Sequence, residues 1–107
     1  MPRKARKQFK LKATIYDKRG RVISVGENSY SKSHPLQFQF ASEAGRPDAI
    51  YLHAEIHALT RLRNWNRAYR IVVERYSNNG EPLSAKPCEI CQHALETAGI
   101  TVVEYTK

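Results

Sequence analysis

The sequence predicts an α/β domain in which a mixed sheet of about four strands opens with an antiparallel hairpin. A segment near the start of the chain alternates between apolar and polar residues with the period of a half-buried strand, and a second apolar segment follows it after a turn. Farther along, the chain reads strand, helix, strand, an order that produces a right-handed crossover between parallel strands. A chain of 107 residues has room for one such domain with one core.

The opening hairpin is predicted from two strands and the turn between them. Every second residue from Phe9 to Tyr16 is apolar or small, which is typical of a strand with one face in the core. The next four residues, Asp17 to Gly20, have turn chemistry. The apolar pattern then resumes over residues 21–26, so the second strand is expected there.

Two helices are predicted in the middle of the chain. Residues 36–44 form a short, apolar-rich segment that ends near Gly45, and we expect a short helix there. Asp48 is suited to cap the second helix, although a start nearer Leu52 favours the chemistry described below. The core side of this helix is expected to carry four apolar residues and its solvent side three arginines: Ala54, Ile56, Leu59 and Leu62, and Arg61, Arg63 and Arg67.

A strand, a helix and a second strand are predicted in the C-terminal part. Residues 69–76 are rich in β-branched and aromatic residues and predict a buried strand, which a loop over residues 77–82 ends. Pro87 marks the start of a helix from Cys88 to Ala98, and Gly99 follows the end of that helix. Residues 100–105 form the last predicted strand.

The composition is strongly basic, with a formal net charge of +8. Such a charge attracts phosphate groups on free nucleotides and on polynucleotides alike, so it does not distinguish between these two partners. The single domain is expected over residues 9–107, after a basic tail over residues 1–8. The cations of this tail either bind phosphate or only solvate the surface.

The chain lacks the patterns of membrane and secreted proteins. No stretch of about 18 apolar residues occurs, and the N-terminus has no apolar run of the secretory kind. We therefore expect a cytoplasmic protein without a membrane partner. Its two cysteines, Cys88 and Cys91, form one Cys-x-x-Cys, for which metal binding or redox chemistry is favoured over a disulfide in a reducing compartment.

Three residues have the side chains of a catalytic zinc site. His53, Cys88 and Cys91 supply one imidazole and two thiols, and imidazole nitrogen and thiolate sulfur are ligands that zinc prefers. The cysteines lie in the first turn of a predicted helix, where the helix dipole favours negative charge. One zinc ion held by three protein ligands keeps a coordination position for water. His57, one turn after His53, is expected to pack beside the ligands rather than to bind the metal.

Glu55 is the candidate catalytic residue next to these ligands. Positions two apart on an ideal helix point about 200° away from each other, so His53 and Glu55 face one site only where the helix begins. His-x-Glu followed by Pro-Cys-x-x-Cys is the signature of zinc nucleobase deaminases, and it occurs here at residues 53–55 and 87–91. In that chemistry zinc activates a water for attack on the base, and the glutamate transfers protons.

On these residues the chain resembles the cytidine and deoxycytidylate deaminase superfamily, as a minimal member of bacterial or phage type. The resemblance implies a three-layer α/β/α fold. It implies the hydrolytic deamination of a cytosine nucleoside or nucleotide to the uracil product, with release of ammonia. It further implies that the chain assembles into a homo-oligomer.

Five residues are predicted to bind substrate: Asn28, His34, Ala54, Lys86 and Pro87. Asn28 ends a Gly-Glu-Asn segment similar to the family's substrate loop, in which an Asn contacts the sugar or base; otherwise Asn28 is a turn residue. His34 either contacts the base or shapes its loop. Lys86 either binds phosphate or is a solvated charge.

Three other functions stay open. Related deaminases act on a base within single-stranded nucleic acid or tRNA, and the basic charge favours that substrate. Members that act on guanine or on riboflavin precursors share the same core motif. A function of another class is a non-catalytic, zinc-stabilised module that binds nucleic acid, although structural zinc normally has four protein ligands.

Overall fold

The structure is a computed structural model that describes residues 10–29, 31–49, 51–77 and 79–107. The predicted basic tail, and Phe9 of the predicted first strand, lie outside the described residues. No helix in the described ranges has the length and apolar character needed to cross a bilayer. The elements, in chain order, are β1 (Leu11–Tyr16), β2 (Val22–Glu27), α1 (Pro35–Glu43), α2 (Ala54–Thr60), β3 (Arg70–Arg75), α3 (Glu89–Ala98) and β4 (Val102–Tyr105).

The four strands form one mixed sheet in the order β2-β1-β3-β4. β1 pairs antiparallel with both β2 and β3, and β3 pairs in parallel with β4. The chain connects β3 to β4 through α3, because strands that run in the same direction need a crossover. The prediction of an α/β fold, with a four-stranded mixed sheet and an opening hairpin, is confirmed.

One core lies between the sheet and the three helices. The alternation along β1 and β3 places Ala13, Ile15, Ile71 and Val73 in this core with no exposed surface. The helices contact one another, and α2 also packs on β1 and β2. These contacts hold the N-terminal ends of α2 and α3, where the candidate site lies. The helices contribute Phe40, Ile56, Leu59, Ile90 and Leu95 to the core.

The starts of α1 and α2 differ in how they are capped. His34 caps α1, since its Nδ1 accepts a hydrogen bond from the backbone N–H of Leu36 at 3.0 Å. α2 begins at Ala54 and not after Asp48, so the helix start nearer Leu52 is the one observed. This later start decides the geometry of the site, because the residue before Ala54 remains in extended conformation.

α2 also ends earlier than the sequence suggests. It ends at Thr60, so Arg63 and Arg67 lie beyond the helix and not on its solvent side. The indole N–H of Trp65 donates to the carbonyl of Leu59 at 3.1 Å. The same carbonyl also accepts a hydrogen bond from the backbone N–H of Leu62 at 3.1 Å, so two donors meet at the end of the helix before the chain continues to β3.

The backbones of α2 and β2 lie in close contact at Gly26. A Cβ at this position would overlap the backbone nitrogen of Ala58 and the carbonyl oxygen of Ala54. A glycine is therefore needed here for steric reasons, because helix backbone cannot move aside as a flexible side chain can. The hydroxyl of Ser24, two residues earlier, donates to the Ala58 carbonyl at 2.7 Å and anchors the same contact.

Candidate metal centre and pocket

The N-terminal ends of α2 and α3 meet at the candidate metal centre. His53 directly precedes α2 and Cys88 directly precedes α3, both with extended backbone (ψ 152° and 175°). Cys91 lies in the first turn of α3 and is fully buried. Residues two apart within a helix point in opposite directions, but His53 lies before the first residue of α2. Its side chain can therefore face the same site as that of Glu55. Both residues line one pocket, as the sequence argument required.

The three predicted ligand residues lie within metal-binding distance of one another. His53 Nδ1 is 3.2 Å from Cys91 Sγ and 3.5 Å from Cys88 Sγ. The ligand atoms of all three side chains lie within 4.8 Å of one another. Tetrahedral zinc with one nitrogen and two sulfur ligands separates nitrogen from sulfur by about 3.6 Å. The donor set and its spacing therefore fit one zinc ion.

The pKa values of the two thiols shift in opposite directions. The hydrogen bond from Cys91 lowers the pKa of Cys88 to about 3, and the hydrogen bond to His53 adds to this effect. The same bond to Cys88, together with burial, raises the pKa of Cys91 well above its usual value. Hydrogen bonding to Cys88 also raises the pKa of His53. The thiolate form is thus favoured at Cys88, and a metal cation that replaces the remaining thiol proton would contact all three ligand atoms.

Glu55 is a buried carboxyl group beside these ligands, with only 4% of its surface exposed. Burial raises its pKa above the usual value, and this effect outweighs a backbone hydrogen bond and a hydrogen bond with Cys91 that lower it. A carboxyl group whose pKa is raised towards neutrality is suited to take up and release protons. The pKa of Glu55 and its place in the pocket therefore agree with the predicted proton-transfer role.

Gln37 of α1 holds the backbone next to the metal centre, and the sequence reasoning did not identify it. Its side chain is fully buried. The Nε2 group donates to the carbonyl of Ala49 at 3.0 Å, and Oε1 accepts from the backbone N–H of His53 at 3.1 Å. The available signal was a polar residue on the same helix face as Phe40 and Ala41, where an apolar residue is expected.

We expect Gln37→Met to weaken zinc binding by about 10- to 100-fold, the range typical of residues that support metal ligands. Methionine keeps the shape of the side chain but leaves the His53 N–H and the Ala49 carbonyl without their partner, at about 1–3 kcal/mol for each group. Competition with a chromogenic chelator measures the zinc affinity. Gln39→Met is the matched control, since Gln39 is an exposed residue of the same helix. Equal zinc affinities in the two variants would contradict the role of Gln37.

The metal centre opens into a pocket of about 390 Å³. Three of the predicted substrate-binding residues line it: Asn28, Ala54 and Lys86. The pocket also has residues that the sequence reasoning did not single out as pocket residues, among them Asp48 and Tyr51. These two follow α1 in the segment that leads to His53, and only the folded chain brings that segment over the metal centre.

The other two predicted substrate-binding residues lie elsewhere. His34 caps α1 and lines a different cavity, beside Leu59 and Trp65. Pro87 is a buried residue that lines a third cavity, between α3 and β4. Neither residue is among those that line the pocket at the metal centre. Their predicted contact with substrate stays a prediction without support from the pocket.

Asn28 and His57 connect the pocket wall to neighbouring elements. The side-chain Oδ1 of Asn28 accepts a hydrogen bond from the backbone N–H of Leu11 at 2.8 Å. His57 Nδ1 lies 2.9 Å from the backbone nitrogen of Glu27 and 3.1 Å from its oxygen. His57 is thus packed against the end of β2, next to Asn28, and is not part of the group of three metal ligands among the described residues.

The chain matches one known protein family, and the match covers the metal centre and its pocket. The family model described as the cytidine and deoxycytidylate deaminase zinc-binding region matches residues 2–107. No curated protein matches the chain. The matched span includes both halves of the His-x-Glu and Pro-Cys-x-x-Cys pattern and all the residues that line the pocket.

Proposed function

The chain belongs to the cytidine and deoxycytidylate deaminase zinc-binding family, and on this premise we propose that it deaminates a cytosine nucleoside or nucleotide. The proposal rests on one observation: the N-terminal ends of α2 and α3 lie side by side at one pocket. Three ligand atoms lie there within 4.8 Å of one another, and the buried Glu55 faces the same pocket. Zinc-dependent deamination in general is the chemistry of the family; the cytosine substrate is our proposal.

His53, Cys88 and Cys91 are proposed to hold one zinc ion through Nδ1 and the two Sγ atoms. When bound, zinc supplies the Lewis acidity that makes a water molecule nucleophilic at neutral pH. Three protein donors leave a coordination position for that water, whereas a structural zinc site normally has four protein ligands. Within the described ranges the group contains three residues, which supports a catalytic site over a structural zinc module.

Glu55 is proposed to carry both protons of the attacking water. As the water oxygen bonds to C4 of cytosine, the carboxylate takes one proton and delivers it to ring nitrogen N3. It then takes the second proton from the same oxygen and delivers it to the exocyclic amino group. The bond from C4 to that nitrogen breaks, ammonia leaves, and the product is uracil. The burial that raises the pKa of Glu55 supports this role, because it makes the carboxylate a better proton acceptor.

The pocket wall supports a nucleotide-sized substrate. Ala54 presents only a methyl group beside Glu55, so a flat base can approach the carboxyl group. Asn28 is proposed to contact the sugar or base at the end of β2. Lys86 is an exposed cation on the same pocket and is proposed to bind a substrate phosphate.

The experiment that tests this function is ammonia release by the zinc-loaded protein from a panel of compounds. The panel contains cytidine, deoxycytidine, their monophosphates, guanine and a cytosine-containing oligonucleotide. Turnover of a free cytosine compound is the expected result, and Lys86→Gln should lower the preference for monophosphates over nucleosides. Turnover of guanine alone, or of no compound, would contradict the proposed substrate.

A second candidate function is the deamination of cytosine within single-stranded nucleic acid. The net charge of +8 favours it, as does the basic surface described in the next subsection. Turnover of the oligonucleotide without turnover of free compounds would select this candidate. Assembly into a homo-oligomer and a cytoplasmic location stay predictions, the first supported by Phe38 and Tyr51, each more than half exposed.

A further inference from the structure

A basic, concave surface lies around the β1–β2 turn, and we call it the turn groove. It consists of two adjoining cavities of about 500 and 480 Å³ that share Arg21 and Arg67. Polyanions concentrate at surfaces of this sign and shape. Five cations and a single carboxylate line the two cavities: Lys18, Arg19, Arg21, Arg63 and Arg67, and Asp17.

The turn groove is separate from the pocket at the metal centre. That pocket is lined by Leu11, where β1 begins, whereas the turn groove is lined by Asp17, which follows the last residue of β1. The strand between them covers about 20 Å at ~3.3 Å per residue. A mononucleotide in the pocket is too small to reach the groove, so the groove can act only on a longer ligand.

Asp17 organises the cations of the groove. Its carboxylate is 7% exposed and accepts hydrogen bonds at 2.9 Å from the backbone N–H groups of Arg19 and Arg21. It also pairs at 3.3 Å with the guanidinium groups of Arg21 and Arg67. About two-thirds of each arginine side chain remains exposed, at 63% and 66%. The carboxylate therefore holds two guanidinium groups in place while their outer faces stay open to a ligand.

An aromatic side chain lies among these cations. Tyr69 lines the same cavity as Arg19, Arg21 and Arg67, and it is 37% exposed. Proteins that bind unpaired nucleic acid combine basic grooves with aromatic rings, on which bases stack. A base within a duplex cannot stack on such a ring unless the duplex opens. The combination therefore favours single strands over duplexes.

We propose that the turn groove binds single-stranded nucleic acid, with backbone phosphates against its arginines and a base stacked on Tyr69. The proposal goes beyond the deamination function, since it concerns a surface that no free nucleotide in the pocket contacts. If the enzyme acts on a strand, the groove would anchor that strand near the opposite end of β1 from the pocket.

The test is a binding measurement that does not depend on turnover. A fluorescein-labelled single-stranded oligodeoxynucleotide is titrated with the zinc-loaded protein, and anisotropy is followed between about 50 and 200 mM salt. The variant is Arg19→Gln combined with Arg63→Gln, because neither residue belongs to an ion pair among the described residues. We expect about tenfold weaker binding and a salt slope smaller by about 1.4, for two lost phosphate contacts.

The control removes the same charge elsewhere, with Lys12→Gln combined with Lys107→Gln. Both lysines are exposed, and neither lines the turn groove. This pair is expected to change the affinity less than twofold. A loss as large as that of the arginine pair would show that net charge alone attracts the strand, and it would overturn the proposal.

Tyr69→Leu separates stacking from charge. We expect it to weaken binding of the single strand by about fivefold or more, which is the lower limit for one stacked base, without changing the affinity for a duplex. Equal affinity for single strand and duplex, or no effect of Tyr69→Leu, would overturn the assignment to single strands. These binding measurements do not require turnover, so they test the groove even if the protein fails to deaminate a cytosine compound. The arginine variant should also keep the turnover of any free nucleotide that the wild type deaminates.

Discussion

Glu55→Gln is expected to lower kcat by about 10²- to 10⁴-fold, the contribution typical of a positioned general acid–base. Glutamine has nearly the same shape and keeps the polar contacts of the buried side chain, but it cannot take a proton from water or deliver one to the base. Ammonia release under substrate saturation measures the effect. Zinc content, measured by a metal-sensitive dye after unfolding, is expected to stay near one per chain.

The melting temperature of the Glu55→Gln variant is a second test of the state of this carboxyl group. Burial raises the pKa of Glu55, which means that the folded protein disfavours the charged form. Replacing the carboxyl group with a neutral amide should therefore leave the melting temperature unchanged or raise it. Glu89→Gln is the matched control, because Glu89 is an exposed glutamate at the start of α3, close to the same ligands. Loss of turnover in both variants, or in neither, would contradict the role of Glu55.

Cys91→Ser is expected to weaken zinc binding by more than about 100-fold and to abolish turnover. Residues that only support metal ligands contribute about 10- to 100-fold to affinity, so the loss of a thiolate ligand should exceed that range. A serine hydroxyl is not among the ligands that zinc prefers. Competition with a chelator measures the affinity, and thermal unfolding with and without zinc measures the accompanying change in stability.

The fold of the Cys91→Ser variant can be compared with that of wild type freed of zinc by a chelator. Zinc binding contributes to folding free energy wherever the site is absent from the unfolded chain. Both samples are therefore expected to unfold at similar temperatures, below that of the zinc-loaded wild type. Cys88→Ser should behave in the same way. Stoichiometric zinc in either variant would contradict the proposed ligand set.

The sequence by itself determined the features that depend on residues close together in the chain. The alternation over 9–16, the turn residues over 17–20 and the apolar segment over 21–26 predict the hairpin, since strand period and turn chemistry are local properties. Breakers such as Pro87 and Gly99 marked the ends of α3. The motif halves around His53 and Cys88 were visible because each contains its own spacing, and the structure brings the two halves together.

Only the tertiary structure decided how distant segments meet. α2 ends at Thr60, and the indole N–H of Trp65 donates to the carbonyl of Leu59 beyond that end. A helical pattern alone does not reveal such a contact. Gln37 accepts a hydrogen bond from the backbone of His53, which lies 16 residues later in the chain. The weak apolar pattern of α1 does not reveal that this buried polar residue supports the metal centre.

Contacts between distant segments also decide which residues line the pocket and the turn groove. His34 is among the residues predicted to bind substrate, but its ring caps α1 and lines a different cavity. Arg67 was expected on the solvent side of a helix, and it pairs with Asp17, 50 residues away, to form the turn groove. Local sequence sets the period of an element and the chemistry at its ends. The packing of helices on the sheet sets which of those ends, and which charges, share a site.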